Sequence, residues 1–156
     1  MRWTIRLMLT FAGLNLAWEV LQLPLYTLSR SSTAGEIAYA VAHCTAGDVL
    51  IGAAIAAVSW AGIKGISRGP SEWLFLGCFI FLALAYTVFS EWRNVYVAES
   101  WAYMPAMPLI PPFGTGLTPL LQWIFVPILT WITAGEAIRS KLAGRAADSR
   151  ARQLRA

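Results

Sequence analysis

Charge is scarce in this chain. Only 13% of its 156 residues are Asp, Glu, Lys or Arg, His43 is the single histidine, and cysteine occurs twice, as Cys44 and Cys78. Soluble domains carry about 25% charged residues, so an ordinary soluble surface is excluded. Motifs are missing as well: there is no P-loop, GxGxxG, HExxH or CxxC pattern. Nucleotide binding, zinc proteolysis and thioredoxin-like redox chemistry therefore lack sequence support. Gly114-Thr115-Gly116 has neither the lysine nor the strand-to-helix setting of a phosphate loop and reads as a turn. The two cysteines fall at opposite depths of the topology below, and a disulfide needs Cα atoms within about 7 Å, so no bridge is expected.

What fills the chain instead is apolar. Hydrophobic residues make up 58% and the mean hydropathy is +0.58. Eight Trp, seven Phe and five Tyr add the amphipathic aromatics that gather where a membrane meets water. The formal charge of +4 does not imply nucleic acid, because the basic residues are thinly spread outside the tail from Arg139 to Arg155. That tail reads as an anchor facing anionic lipid.

Four apolar runs are long enough to cross a bilayer core of about 30 Å. The first, 7–27, follows Arg2 and Arg6 like a secretory signal, but it is too long for one and holds Glu19 and Gln22, so a retained helix is expected. The second, 37–63, carries Ala53, Ala57 and Ala61 at four-residue spacing, a small-residue stripe that suggests a central, closely packed helix. The third, 73–92, begins after the break Ser67-Arg68-Gly69-Pro70. The fourth, 118–137, has Pro119 in its first turn and Pro127 inside, where a kink is expected. Between the last two, Arg93 to Leu117 holds Pro105, Pro108, Pro111 and Pro112, which exclude a regular helix, among apolar residues that argue against a solvated disordered loop. This segment is expected on the membrane surface or folded back as a cap. The fold class is thus an all-α membrane protein of four transmembrane helices with a Pro-rich outer loop between helices three and four. Residues 1–138 form the membrane domain and 139–156 a basic cytoplasmic tail.

Basic residues in short loops set orientation. With the N-terminus inside, Arg2, Arg6, Lys64, Arg68 and the six basic residues of the tail lie on the cytoplasmic side, against Arg30 and Arg93 outside. Both ends are therefore expected in the cytoplasm. The predominance of Arg over Lys suits a GC-rich bacterial genome and a location in the bacterial inner (plasma) membrane.

Ionisable groups inside a span are costly and count as functional candidates. Glu19, Asp48, His43 and Glu91 are the candidate catalytic set. Asn15, Glu19 and Gln22 share one helix stripe, and Cys44 stacks one turn from Asp48. Trp18, Tyr86, Arg93, Trp101, Tyr103, Gln122 and Trp123, with Asn15 and Gln22, are the candidate ligand-binding residues. In the inward half Ser59 and Thr130 are the main interruptions of the apolar runs, which argues against a polar path across the whole membrane and for a pocket opening outward. Two carboxylates and a histidine in low dielectric suit acid/base chemistry on a lipid or isoprenoid-like small molecule. The same polar groups also suit helix registry in a noncatalytic assembly or partner-binding protein, so whether the chain is an enzyme stays open. Metal handling by His43, Cys44, Met104 and Met107 has no chelating spacing behind it, and neither a metal nor a cofactor is expected. The expected partners are membrane lipids, an apolar small molecule or another membrane protein.

The stretches Trp18-Glu19-Val20-Leu21-Gln22-Leu23-Pro24 and Tyr39-Ala40-Val41-Ala42-His43 resemble parts of the emopamil-binding and sigma-2 receptor superfamily. That resemblance implies a four-helix membrane fold with Glu19 as an acid/base or cation-binding carboxylate. The segment from Glu91 through Trp101-Ala102-Tyr103 to Pro108 looks a little like intramembrane carotenoid-modifying proteins. The general likeness is to small bacterial four-helix inner-membrane proteins.

Overall fold

A computed structural model describes residues 2–66 and 71–135. The basic tail and the break Ser67-Arg68-Gly69-Pro70 lie outside the described residues. Four helices are long and apolar enough to cross a membrane: Thr4–Leu25, Ala34–Lys64, Glu72–Val97 and Leu117–Ala134. Leu9, Leu21, Leu50, Trp73 and Phe81 are among the large apolar side chains left exposed, a surface that lipid covers better than water does.

The first helix, α1 (Arg2–Gln22), stops short of Pro24. Pro24 sits in a 3-10 turn at Leu23–Leu25, and a one-turn helix α2 (Leu28–Ser31) follows, so the expected single helix to residue 27 breaks up five residues early. Thr33 then opens α3 (Ala34–Ile66). Its hydroxyl and backbone N–H both donate to Glu36 Oε2, at 2.9 and 2.7 Å. The Glu36 N–H returns to the Thr33 hydroxyl at 3.4 Å, a reciprocal box that satisfies the open donors of a helix start. The third long helix, α4 (Glu72–Trp92), continues as a π turn over Arg93–Val97. The first residues of the expected nonhelical segment are therefore helical.

Beyond that turn the chain folds back. Two short strands, β1 (Leu109–Ile110) and β2 (Thr115–Gly116), pair antiparallel with Leu109 opposite Gly116 and Ile110 opposite Thr115. The Pro111–Pro112 bond between them is cis. Gly114 has φ +65°, and a Cβ there would collide with the Tyr96 hydroxyl. Glycine is therefore required both by the backbone and by the neighbour. Strand β2 leads straight into α5 (Leu117–Ala134), which runs through Pro127 as one element.

The long helices form a closed ring in chain order: α1 packs on α3 and α5, and α4 also packs on α3 and α5. No helix is central. The Ala53, Ala57 and Ala61 stripe of α3 is exposed, and α3 packs instead through Gly52, Ile55, Ser59 and Ile63. The reason is visible at Gly52, where an added Cβ would lie 2.8 Å from the Phe11 ring. Its bare backbone lets α1 approach at that face. Ile55, Phe79, Ala83 and Trp123 form the mid-bundle core, with Trp123 against Phe11 at 6.2 Å and Phe79 at 6.3 Å between ring centroids.

Candidate functional site

Above this apolar core, toward the loop end, the helices present polar side chains to one another. On α1 the buried Asn15 donates its amide back to the Phe11 carbonyl at 2.9 Å, which turns its Oδ1 toward α5. Gln122, on the second turn of α5 and 2% exposed, meets it there. Its Nε2 lies 3.0 Å from Asn15 Oδ1, 3.1 Å from Glu19 Oε1 and 2.8 Å from Asp48 Oδ2. Gln22 closes the group, with Nε2 3.0 Å from Glu19 Oε1 and 3.2 Å from Gln122 Oε1. Three helices thus converge on one amide, which draws the Glu19 and Asp48 carboxyls together.

A second layer lies nearer the loop. Glu91, buried at the end of α4, accepts a hydrogen bond from the Tyr103 hydroxyl, and that hydroxyl in turn accepts the Gly116 N–H at 2.9 Å. Tyr26 and Trp101 stand beside the same carboxyl. The loop is held over it by backbone pairing: Met104 N–H to Leu25 at 2.9 Å and Thr27 N–H to Ala102 at 2.9 Å. Rings Tyr26 and Tyr103 are 5.5 Å apart. Burial first, and then the Glu91 carboxylate, push the Tyr26 and Tyr103 hydroxyls well above the ordinary tyrosine range. Both remain proton donors at neutral pH.

A cleft of about 450 Å³ opens between α2 and the π turn, lined by Thr27, Leu28, Ser31, Val95, Glu99 and Trp101 among others. Trp101 is shared between this cleft and Glu91. Its buried indole N–H makes no hydrogen bond of ordinary geometry. Glu99, on the rim, has φ +52°, a left-handed backbone that a helix end normally gives to glycine.

The structure therefore brings together Asn15, Glu19, Gln22, Asp48 and Gln122, and sets Glu91, Trp101 and Tyr103 next to them. The other candidates lie elsewhere. His43 is exposed, stacked at 5.7 Å on Tyr39, because it occupies a face of α3 turned away from Asp48. Tyr86 is 39% exposed, and Arg93 is exposed. Trp18 ties α1 to α5 through its indole N–H to the Thr118 carbonyl at 3.2 Å, and Trp123 belongs to the core. Both cysteines are free. Met107 is buried in the loop, where its sulfur accepts the Thr118 hydroxyl at 3.4 Å. Tyr26, absent from the sequence candidates, joins the site through the fold of the loop. Its only sequence signal is its position just after the Pro24 turn. In the other half, the Ser59 and Thr130 hydroxyls are buried without a hydrogen-bond partner.

Comparison with known protein families, with curated proteins and with solved structures finds no match. The functional reading rests on the geometry of this chain.

Proposed function

We propose that this protein is a polytopic inner-membrane protein, with both ends in the cytoplasm, that takes a small apolar molecule from the outer leaflet. The ligand enters by the cleft beside Trp101 and reaches Glu91, with acid/base chemistry available from Glu91 and the Glu19–Asp48 pair. The observation that carries this reading is the stacking of three carboxyl residues under a folded-back loop, with no basic side chain paired to any of them among the described residues. Buried carboxyls kept only for registry are better satisfied by a cation. Here Tyr103 offers a proton to Glu91, and Trp101 stands between that carboxyl and the cleft.

Sidedness follows from the basic loops, which put the loop end outside. Lipid supplies the remaining partner surface. A noncatalytic partner-binding role has its own support in the exposed Ala53, Ala57 and Ala61 stripe, which permits close helix approach.

Mass spectrometry of small molecules retained by the protein in mild detergent tests the proposal. One apolar species enriched over bulk lipid is expected. Bulk lipid alone would overturn it.

A further inference from the structure

An amide nitrogen has two N–H bonds to give. Gln122 Nε2 stands against three acceptors, Asp48 Oδ2 at 2.8 Å, Asn15 Oδ1 at 3.0 Å and Glu19 Oε1 at 3.1 Å. One oxygen is in excess. Gln22 adds another, because its Nε2 is committed to Glu19 and Gln122, while its Oε1 is buried with no partner. That side chain is 6% exposed. A buried acceptor without a donor is costly, and adjoining carboxyl groups without a counter-charge add to that cost. Surplus oxygen and two carboxyl groups fall in the same place.

A cation satisfies both at once. We propose that Asn15, Glu19, Gln22, Asp48 and Gln122 bind a hard, oxygen-preferring cation of the sodium or calcium size class. Half-turns of the Gln122 and Gln22 amides exchange nitrogen for oxygen, after which Gln122 presents oxygen beside Asn15, Glu19 and Asp48, and Gln22 presents oxygen beside Glu19 while accepting from the turned Gln122 N–H. The donor set fixes the class. Calcium accepts carboxylate and amide oxygens in flexible geometry, whereas magnesium demands a near-ideal octahedron and keeps its waters. Soft metals need thiolate or imidazole, and no three His, Cys, Asp or Glu converge on a metal position among the described residues. Cys44 lies one helical turn before Asp48 but does not complete such a set. The inference shares with the proposed function the premise that this cluster binds a ligand, and it requires no small molecule.

The test uses full-length protein in mild detergent, stripped with chelator into choline chloride and melted at constant ionic strength by tryptophan fluorescence. Sodium or calcium should raise the melting temperature saturably, by about 5 °C or more when the site is full; magnesium and potassium should do less. Gln22→Leu should weaken the midpoint about tenfold or more, and Asp48→Asn should abolish the effect. Equilibrium dialysis of labelled calcium and sodium on the wild-type chain decides the matter even if those variants fail to fold: one ion per chain is expected. Equal melting in every salt, a magnesium effect exceeding that of calcium and sodium, no bound ion, or a cation effect intact in Asp48→Asn would each overturn the inference. Cation binding without a retained small molecule would instead sink only the proposed function, and the converse result would sink only the cation site.

Discussion

Tyr103 serves two neighbours with one hydroxyl, donating to Glu91 and accepting from the Gly116 N–H. Tyr103→Phe leaves both without that partner, at about 1–3 kcal/mol for each buried group, so thermal unfolding of the variant should start several degrees lower. The pH dependence carries a second signature. Burial and the Glu91 carboxylate hold this phenol above its ordinary value of 10.0, so the folded chain keeps a proton that the unfolded chain loses. The stabilisation is complete below about pH 10 and is lost as pH rises toward the higher folded value. Melting temperatures from about pH 8 to about pH 11 should fall less steeply in Tyr103→Phe than in wild type. His43 makes the opposite case. Exposed and stacked only on Tyr39, it should tolerate His43→Ala with a stability change within about 0.5 kcal/mol and no loss of bound ligand. Loss of the retained small molecule in that variant would refute its placement outside the site.

At the scale of elements, the loop from Ala98 to Gly116 determines whether the carboxyl layer is covered. Its tight end depends on Gly114, whose carbonyl accepts the Tyr96 hydroxyl at 2.9 Å and whose α-carbon faces that same hydroxyl. Gly114→Ala adds a left-handed penalty of about 1–2 kcal/mol to a direct collision. A lower melting temperature is expected, with partial recovery when Tyr96→Phe removes the colliding oxygen; no recovery would mean the backbone alone sets the cost. The helices themselves were legible because lengths, Pro119 and the run of loop prolines are local signals, whereas the early break at Pro24 falls inside the expected run 7–27. Helix faces were less so. The alanine spacing of α3 marks a surface that can pack, but the Gly52–Phe11 approach decides which face does, and that depends on a residue 41 positions away. For the same reason the shared α1 stripe of Asn15, Glu19 and Gln22 could be read directly, whereas the exposure of His43 could not. Angular position on α3 only acquires meaning once α1 and α4 are docked. The π turn at Arg93–Val97 left no sequence mark, since its residues differ little from those of an ordinary helix end.

For the whole molecule, the ring of four helices separates two regimes: an aromatic and aliphatic core through Phe79 and Trp123, and a carboxyl–amide end capped by tyrosines. The composition foretold the first. The convergence of the second required all four long helices and a loop to meet at Gln122 and Tyr103, contacts between residues up to 107 positions apart in the chain. The proposed function requires this end of the bundle to be a ligand site and not merely a knot that fixes registry. Paired mass spectrometry of wild type and Glu91→Gln, each purified in mild detergent and matched for folding by melting temperature, measures that directly. The account predicts a specific apolar molecule on the wild-type chain and its loss from a Glu91→Gln chain that melts within a few degrees of it. An equally folded variant that retains the same molecule, or a wild-type chain carrying nothing beyond bulk lipid, would contradict it.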